Sequence, residues 1–230
     1  MPLRVVDIQQ NILRKNSTYA RDLRDRFQRS GTLVVNFLSS PGSGKTTLIE
    51  QMLRALGSEY RVAALVGDQA TENDSLRLAR SGAPVRQITT GAECRLDAQM
   101  VSAALEGFIS DEPDVLTIEN VGNLICPAEY DLGEDLRVVL FSVTEGEDKP
   151  LKYPLAFATA HVALITKVDL AEAAGFDAAT AFANIRTVNP AIEVLETSAR
   201  TGEGVPRWLD FIRGRIEAKR ASSQPSFTLS

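Results

Sequence analysis

The stretch Ser39-Ser40-Pro41-Gly42-Ser43-Gly44-Lys45-Thr46-Thr47 constrains this chain more than any other. It follows the apolar run Leu33-Val34-Val35-Asn36-Phe37-Leu38 and precedes Leu48-Ile49-Glu50-Gln51-Met52-Leu53, so the local order is strand, glycine-rich loop, helix. Small residues let successive backbone N–H groups turn toward one anion, and the helix that begins there adds its positive end. In such a loop Lys45 reaches the β- and γ-phosphates of a nucleotide and Thr46 offers its hydroxyl to Mg²⁺, with Gly42, Ser43, Gly44 and Thr47 completing the cradle. The first glycine of the pattern G-x-x-x-x-G-K-[ST] is replaced by Ser39, at a position where the loop begins and a small residue suffices.

A phosphate loop of this kind needs a parallel sheet behind it, and the rest of the chain supplies one. Apolar runs at 61–66, 84–88, 114–119, 137–143, 161–165 and 192–195 read as strands, with helical patterns between them, for example 76–81 and 96–109, and a closing amphipathic helix over 205–219. Strands alternating with helices predict an α/β fold with a mostly parallel sheet covered on both faces. Ahead of it Val5, Ile8, Ile12, Tyr19, Leu23 and Phe27 recur at helical spacing among charges, predicting an N-terminal helix broken near Asn16-Ser17. The expected organisation is a helical extension over 1–30, a nucleotide-binding domain over 31–220, and a disordered tail over 221–230 that carries Ser-Ser-Gln-Pro. A length of 230 residues suits that plan.

With 25 Lys and Arg against 30 Asp and Glu the net charge is −5, which lacks the basic footprint of a nucleic-acid binder. Every apolar run is far shorter than a membrane span and no charged-then-apolar leader pattern opens the sequence, so the expected location is the cytoplasm, away from membranes.

The base is read elsewhere. Thr166-Lys167-Val168-Asp169 follows a buried strand at the carboxyl edge of the sheet, where ligands of such folds sit. A carboxylate at Asp169 accepts both N–H donors of guanine, an arrangement adenine cannot satisfy, and Lys167 lays its methylene stem along the base. The tetrapeptide resembles N-K-x-D of GTPases with Thr166 in place of Asn, which removes an amide able to tie the loops together. Ser198-Ala199-Arg200 resembles the matching S-A-[KR] loop, whose central N–H meets the guanine carbonyl. Asp68 and Glu119 end strands on the phosphate side and can bind Mg²⁺ directly or through water, Asp68 being preferred for direct contact. Glu119 to Gly122 resembles an E-x-x-G segment in which the Gly122 N–H meets the γ-phosphate. No glutamine stands at a water-orienting position, which predicts slow hydrolysis with Lys45, Asp68 and Glu119 as the catalytic set.

Three longer segments narrow the family. Residues 91–100 (Gly-Ala-Glu-Cys-Arg-Leu-Asp-Ala-Gln-Met), 119–131 (Glu-Asn-Val-Gly-Asn-Leu-Ile-Cys-Pro-Ala-Glu-Tyr-Asp) and 143–154 (Val-Thr-Glu-Gly-Glu-Asp-Lys-Pro-Leu-Lys-Tyr-Pro) resemble the HypB family of hydrogenase nickel-incorporation GTPases, of the SIMIBI class. The resemblance spans nearly the whole chain. It implies a GTP-dependent metallochaperone that forms a homodimer when GTP-bound. It also implies nickel delivery to [NiFe]-hydrogenase, with a hydrogenase accessory protein and the hydrogenase large subunit as partners. In that family a Cys-His pair and a second Cys form the metal site of the nucleotide domain. Cys94 and Cys126 match the thiols, and Arg95, which cannot ligate, stands at the histidine position. His161 is a poor substitute. The residues before Leu33 contain neither cysteine nor histidine, so the nickel store that some members carry there is not expected.

Three readings of the thiols stay open: four sulfurs from two chains holding Zn²⁺ or Ni²⁺, a Cys94 acidified by Arg95 without metal, or two small buried hydrophobes. Alternatives for the whole chain are a metal-independent GTPase switch, or an accessory GTPase for another metalloenzyme such as urease or a cobalamin-dependent mutase. The urease type carries Cys-Pro-His where this chain has Cys126-Pro127-Ala128. A small-molecule kinase is disfavoured by the guanine loop.

Overall fold

The computed structural model describes residues 3–69 and 71–223, with side chains from Gln10 onward. Seven strands, β1 (Leu33–Ser39), β2 (Val62–Asp68), β3 (Val85–Thr89), β4 (Val115–Glu119), β5 (Leu136–Ser142), β6 (Val162–Thr166) and β7 (Glu193–Thr197), form one sheet in the order β3-β2-β4-β1-β5-β6-β7. Every neighbouring pair is parallel. The helices are α1 (Leu3–Ser30), α2 (Lys45–Leu56), α3 (Asn73–Ala79), α4 (Ala98–Leu105), α5 (Lys149–Lys152), α6 (Pro154–Ala158), α7 (Ala171–Ala174), α8 (Ala178–Val188) and α9 (Val205–Ser223).

Alternation along the central strand explains the layers. Leu33, Val35 and Phe37 of β1 face α2 and α9, where Met52, Trp208 and Ile212 are fully buried and the Trp208 ring stands edge-on to Phe37 at 6.1 Å. On the other face Val34 joins Leu23 and Phe27 of α1 and Val101 of α4, while Leu38 joins Phe157 of α6 and Ile185 of α8. Asn36 also belongs to this second face by the period of two, and is the one polar side chain in an otherwise apolar strand interior.

The break expected near Asn16 and Ser17 is absent: α1 runs unbroken to Ser30. The polar pair invites a cap by propensity, but Asn16 is buried and fully used in tertiary bonds. Its Nδ2 donates to the Asp131 carbonyl at 2.8 Å, and its Oδ1 accepts from the Ala98 N–H at 2.8 Å. Ser17 returns its hydroxyl to Leu13 within the helix. The Val5 and Ile8 portion of the apolar stripe lies outside the described side chains, and Ile12 is exposed. At the other end α9 continues through Ser223, so residues 221–223 are helical, and the rest of the expected disordered tail lies outside the described residues. Among the described residues no helix is long and apolar enough to cross a membrane.

Candidate functional site

All seven strands leave the sheet at the same edge, and the strand order reverses around β1, whose neighbours are β4 and β5. A crevice is unavoidable there, because the chain departs from β1 to one side and returns from β4 to the other. The glycine loop fills it. Gly44 has φ +94°, a left-handed conformation that a residue with Cβ rarely adopts, and it hands the chain directly to Lys45 at the first turn of α2. A cavity of about 610 Å³ opens beside the loop, lined among others by Gly42, Lys45, Thr46, Asp68, Glu119 and Gly122.

The side chains under this cavity are bonded to each other. Lys45 Nζ donates to the Asn120 carbonyl at 2.5 Å and lies 3.7 Å from Glu119, and the Thr46 hydroxyl donates to Glu119 Oε1 at 2.7 Å. Glu119 is almost wholly buried, and burial is the main cause that pushes its carboxyl pKa upward, opposed by Lys45 and Thr46. Among the described residues its Oε2 is buried without a hydrogen-bond partner, as is the Ser43 hydroxyl. An orphaned carboxylate oxygen beside a threonine hydroxyl is the donor chemistry that a hydrated Mg²⁺ takes up. Asp68 is differently occupied: its carboxylate accepts from the Gln69 N–H at 2.6 Å and from the Thr71 hydroxyl at 2.5 Å. Glu119 therefore sits closer to Thr46 in the bonding pattern than Asp68 does. Gly122 packs against Pro41 so closely that a Cβ would come within 3.1 Å of its ring.

The base loops join the same edge. Lys167, the only non-glycine residue at positive φ among the described residues (φ 58°), donates from Nζ to the Gly42 carbonyl at 2.6 Å, so its stem crosses the phosphate loop. The substitution at Thr166 turns out not to leave the loops untied. Its hydroxyl donates to the Ser43 carbonyl at 2.6 Å and lies 3.3 Å from that of Phe141, doing with one O–H what an amide was expected to do. Asp169 Oδ1 accepts from the Ser198 hydroxyl at 2.5 Å, and Arg200, mostly exposed, reaches to 3.8 Å from its other oxygen. Ala199 is held by a contact the sequence reading missed: Gln51 of α2 donates to its carbonyl at 2.6 Å. Arg77 of α3 was also missed, and donates to the Thr47 hydroxyl at 2.7 Å and to Glu50 at 3.2 Å. Nothing local in sequence announces either contact, since both depend on how α2 packs against distant segments.

The two cysteines meet. Cys94, after β3, and Cys126, in a short 3₁₀ turn after β4, are joined in a disulfide with Cα atoms 6.2 Å apart, and both are half-buried. The reading of two small buried hydrophobes does not describe a half-buried, bonded pair. Arg95 is spoken for: its guanidinium lies 3.9 Å from the centre of the Tyr130 ring and pairs with Glu93 at 2.6 Å. No cluster of three or more His, Cys, Asp or Glu side chains able to hold a metal occurs among the described residues. His161 stands away from the guanine loop. It precedes β6 at the opposite end from Thr166, where its Nδ1 accepts from the Arg137 N–H at 2.9 Å. Lys149 pairs with Glu145 at 2.8 Å, and Lys152, exposed, with Asp148 at 2.7 Å.

This geometry agrees with what the chain is similar to. Residues 31–196 match the family described as CobW/HypB/UreG, nucleotide-binding domain. The hydrogenase maturation factor HypB of Azotobacter chroococcum is 47% identical over 229 residues, spanning 96% of this chain and 75% of that protein. This chain belongs to the HypB family. Among solved structures, HypB of Archaeoglobus fulgidus superposes with a TM-score of 0.82 at 42% identity, covering 89% of this chain and all of that one. HypB of Helicobacter pylori, whose crystal structure is in complex with nickel, gives 0.82 at 35% identity over 94% of this chain and all of that one. The fold expected of a HypB protein and the nucleotide-binding domain are thus present together.

Proposed function

We propose that this chain is a GTP-binding, slowly GTP-hydrolysing metallochaperone acting in [NiFe]-hydrogenase maturation. The observation that carries the nucleotide part is the direct bonding of the phosphate loop to the base loop, through Thr166 to Ser43 and Lys167 to Gly42. A triphosphate over Lys45 and a guanine at Asp169 then belong to one pocket. Thr46 and Glu119 are the groups that would hold Mg²⁺, with Asp68 at the rim, and the ion would supply charge neutralisation at the β- and γ-phosphates. Lys45 holds the phosphates, Gly122 offers its N–H to the terminal one, and Ser198, Ala199 and Arg200 close over the base.

The hydrogenase part rests on kinship with the HypB proteins, and nickel is the cargo that kinship suggests. In this reading the protein works in the cytoplasm and dimerises when GTP-bound. It meets a hydrogenase accessory protein and the large subunit, and it holds Ni²⁺ or Zn²⁺ on Cys94 and Cys126 only when that pair is reduced. Two chains would then offer four sulfurs. Size exclusion with GDP and with a non-hydrolysable GTP analogue, with metal content measured on the same fractions, tests both parts. The expected result is a dimer with the analogue and a gain in metal affinity that Cys94→Ala and Cys126→Ala abolish. A monomer with both nucleotides, or equal metal affinity in the double variant, overturns the corresponding part. A second reading, a GTPase switch without metal, is favoured by one observation: Arg95 is committed to Tyr130 and Glu93 where the family places a ligand.

A further inference from the structure

Asn120 follows β4 directly, is 1% exposed, and uses every polar atom it has. Its N–H donates to the Phe37 carbonyl at 3.1 Å, and its own carbonyl accepts from Lys45 Nζ at 2.5 Å. Its Oδ1 accepts from the N–H groups of Val121 at 3.0 Å and Leu96 at 3.2 Å. Its Nδ2 donates to Asn36 Oδ1 at 3.3 Å. From there the bonds run on: Asn36 donates to Glu134 Oε1 at 3.2 Å, and Glu134 holds Arg137, whose guanidinium donates to the carbonyls of Ala128 at 2.9 Å and Tyr130 at 2.8 Å. Ala128 belongs to the turn that carries Cys126, and Leu96 lies two residues beyond Cys94.

We infer that Asn120 is a positioning residue through which the occupant of Lys45 is felt at both cysteine-bearing segments. The Lys45 ammonium has one site on the Asn120 carbonyl and another on any phosphate above it. A triphosphate competes for it, and what that carbonyl loses changes the pose of the side chain on the same residue. One branch leads through Leu96 and the other through Asn36. The Leu96 branch has little slack: a Cβ on Gly67 would come within 2.7 Å of the Leu96 side chain, so β2 and Leu96 are in direct contact just before Asp68. The Cys94 segment is thereby pinned between the ends of β2 and β4. A hydrogen-bonded network buried from water transmits such a change because each member has no solvent to turn to instead.

The inference rests on the guanine-nucleotide reading, and hydrogen exchange separates the two. In the wild-type chain, saturated in turn with GDP and with a non-hydrolysable GTP analogue, the amide of Leu96 and those of 128–132 are expected to exchange at rates differing by about fivefold, one hydrogen bond's worth. Asn120→Ala keeps the backbone carbonyl. It should bind both nucleotides within about threefold of wild type and lose the difference at both segments. Asn36→Ser should lose it at 128–132 and retain it at Leu96, a split that general loosening of the fold would not produce. If the wild type binds both nucleotides and neither segment responds, or if Asn120→Ala responds as the wild type does, the relay is wrong. If the wild type binds no guanine nucleotide, the functional reading itself falls. Should Asn120→Ala not fold, the Asn36→Ser split and the wild-type comparison still decide.

Discussion

Replacing Asp169 with Asn exchanges one oxygen for an NH₂ group and is expected to change which base the pocket takes. The Asp169 side chain is 13% exposed, and its Oδ1 already accepts from Ser198, which an amide oxygen can continue to do. Arg200, at 3.8 Å and 81% exposed, adds little in water. In the proposed pocket the change would fall on the two N–H groups of guanine set against the carboxylate. A hydrogen bond to a charged acceptor contributes about 1.5–3 kcal/mol, and the amide keeps one acceptor while presenting a donor to a donor. A loss of about 3–4 kcal/mol corresponds to about 10²- to 10³-fold weaker GDP binding. Xanthine carries a carbonyl where guanine carries its amino group, so the new NH₂ finds an acceptor there and xanthosine diphosphate should gain affinity. Competition against a fluorescent nucleotide, with thermal melting to establish that Asp169→Asn is folded, measures both. GDP binding unchanged within about threefold, together with no gain for the xanthine nucleotide, would refute the assignment of Asp169 to the base.

Four further outcomes are expected. Glu119→Gln should raise the melting temperature at neutral pH. The folded state holds the Glu119 proton more tightly than the unfolded chain, so ionisation above the unfolded value costs stability that the amide does not lose; a lower melting temperature would contradict this. The same variant should weaken Mg²⁺-dependent triphosphate binding by about 10- to 100-fold in calorimetry. His161 is held below its ordinary value by burial and accepts from Arg137, so stability should fall as pH drops from about 6.5 through the folded pKa, where the unfolded chain binds the proton first; His161→Asn should flatten that part of the urea-stability profile. Reduction of the Cys94–Cys126 disulfide, which closes a loop with a sequence separation of 32, should cost about 3–4 kcal/mol in denaturant titrations and expose two thiols to a thiol reagent.

The architecture was legible because its signals are local. A glycine loop between an apolar run and an amphipathic helix, and apolar runs separated by helical periods, are properties of short windows. Each predicted strand is found within two residues of its expected place. That Lys45, Thr46, Glu119 and Asp169 lie along one edge was legible for the same reason: each follows a strand, and in an all-parallel sheet every strand leaves at the same edge. What sequence could not give was pairing across long separations. Asn16 reads as a helix breaker until Asp131 and Ala98 are brought to it, and Gln51 reads as a solvated helix residue until Ala199 is. Thr166 looked like a loss because the comparison was by residue type, whereas the geometry required only a donor reaching Ser43. Asn36 did carry a visible signal, a lone amide within six otherwise apolar residues, and its partner Asn120 stood next to the recognised Glu119.

The position of the cysteine pair follows from the same sheet. Strands β3, β2, β4 and β1 are consecutive neighbours, and their exits carry, in that order, Cys94, Asp68, the Glu119-to-Cys126 segment and Lys45. Neighbouring strands are about 4.8 Å apart, so three steps separate the β3 exit from the phosphate loop by about 14 Å. A ligand spanning part of that edge has no need of a long-range conformational wave to be felt at the sulfurs. It needs only one buried group bonded to two exits at once, and Asn120, bonded to Lys45 on one side and Leu96 on the other, is that group. Moving the pair to the β6 and β7 side of the sheet would leave the chemistry of each part intact and remove this connection, because the base loops would then stand where the relay now runs. The order of strands, more than the identity of any ligand, is what puts the phosphate-loop lysine and the Cys94 segment within reach of one residue, through its carbonyl on one side and its side chain on the other.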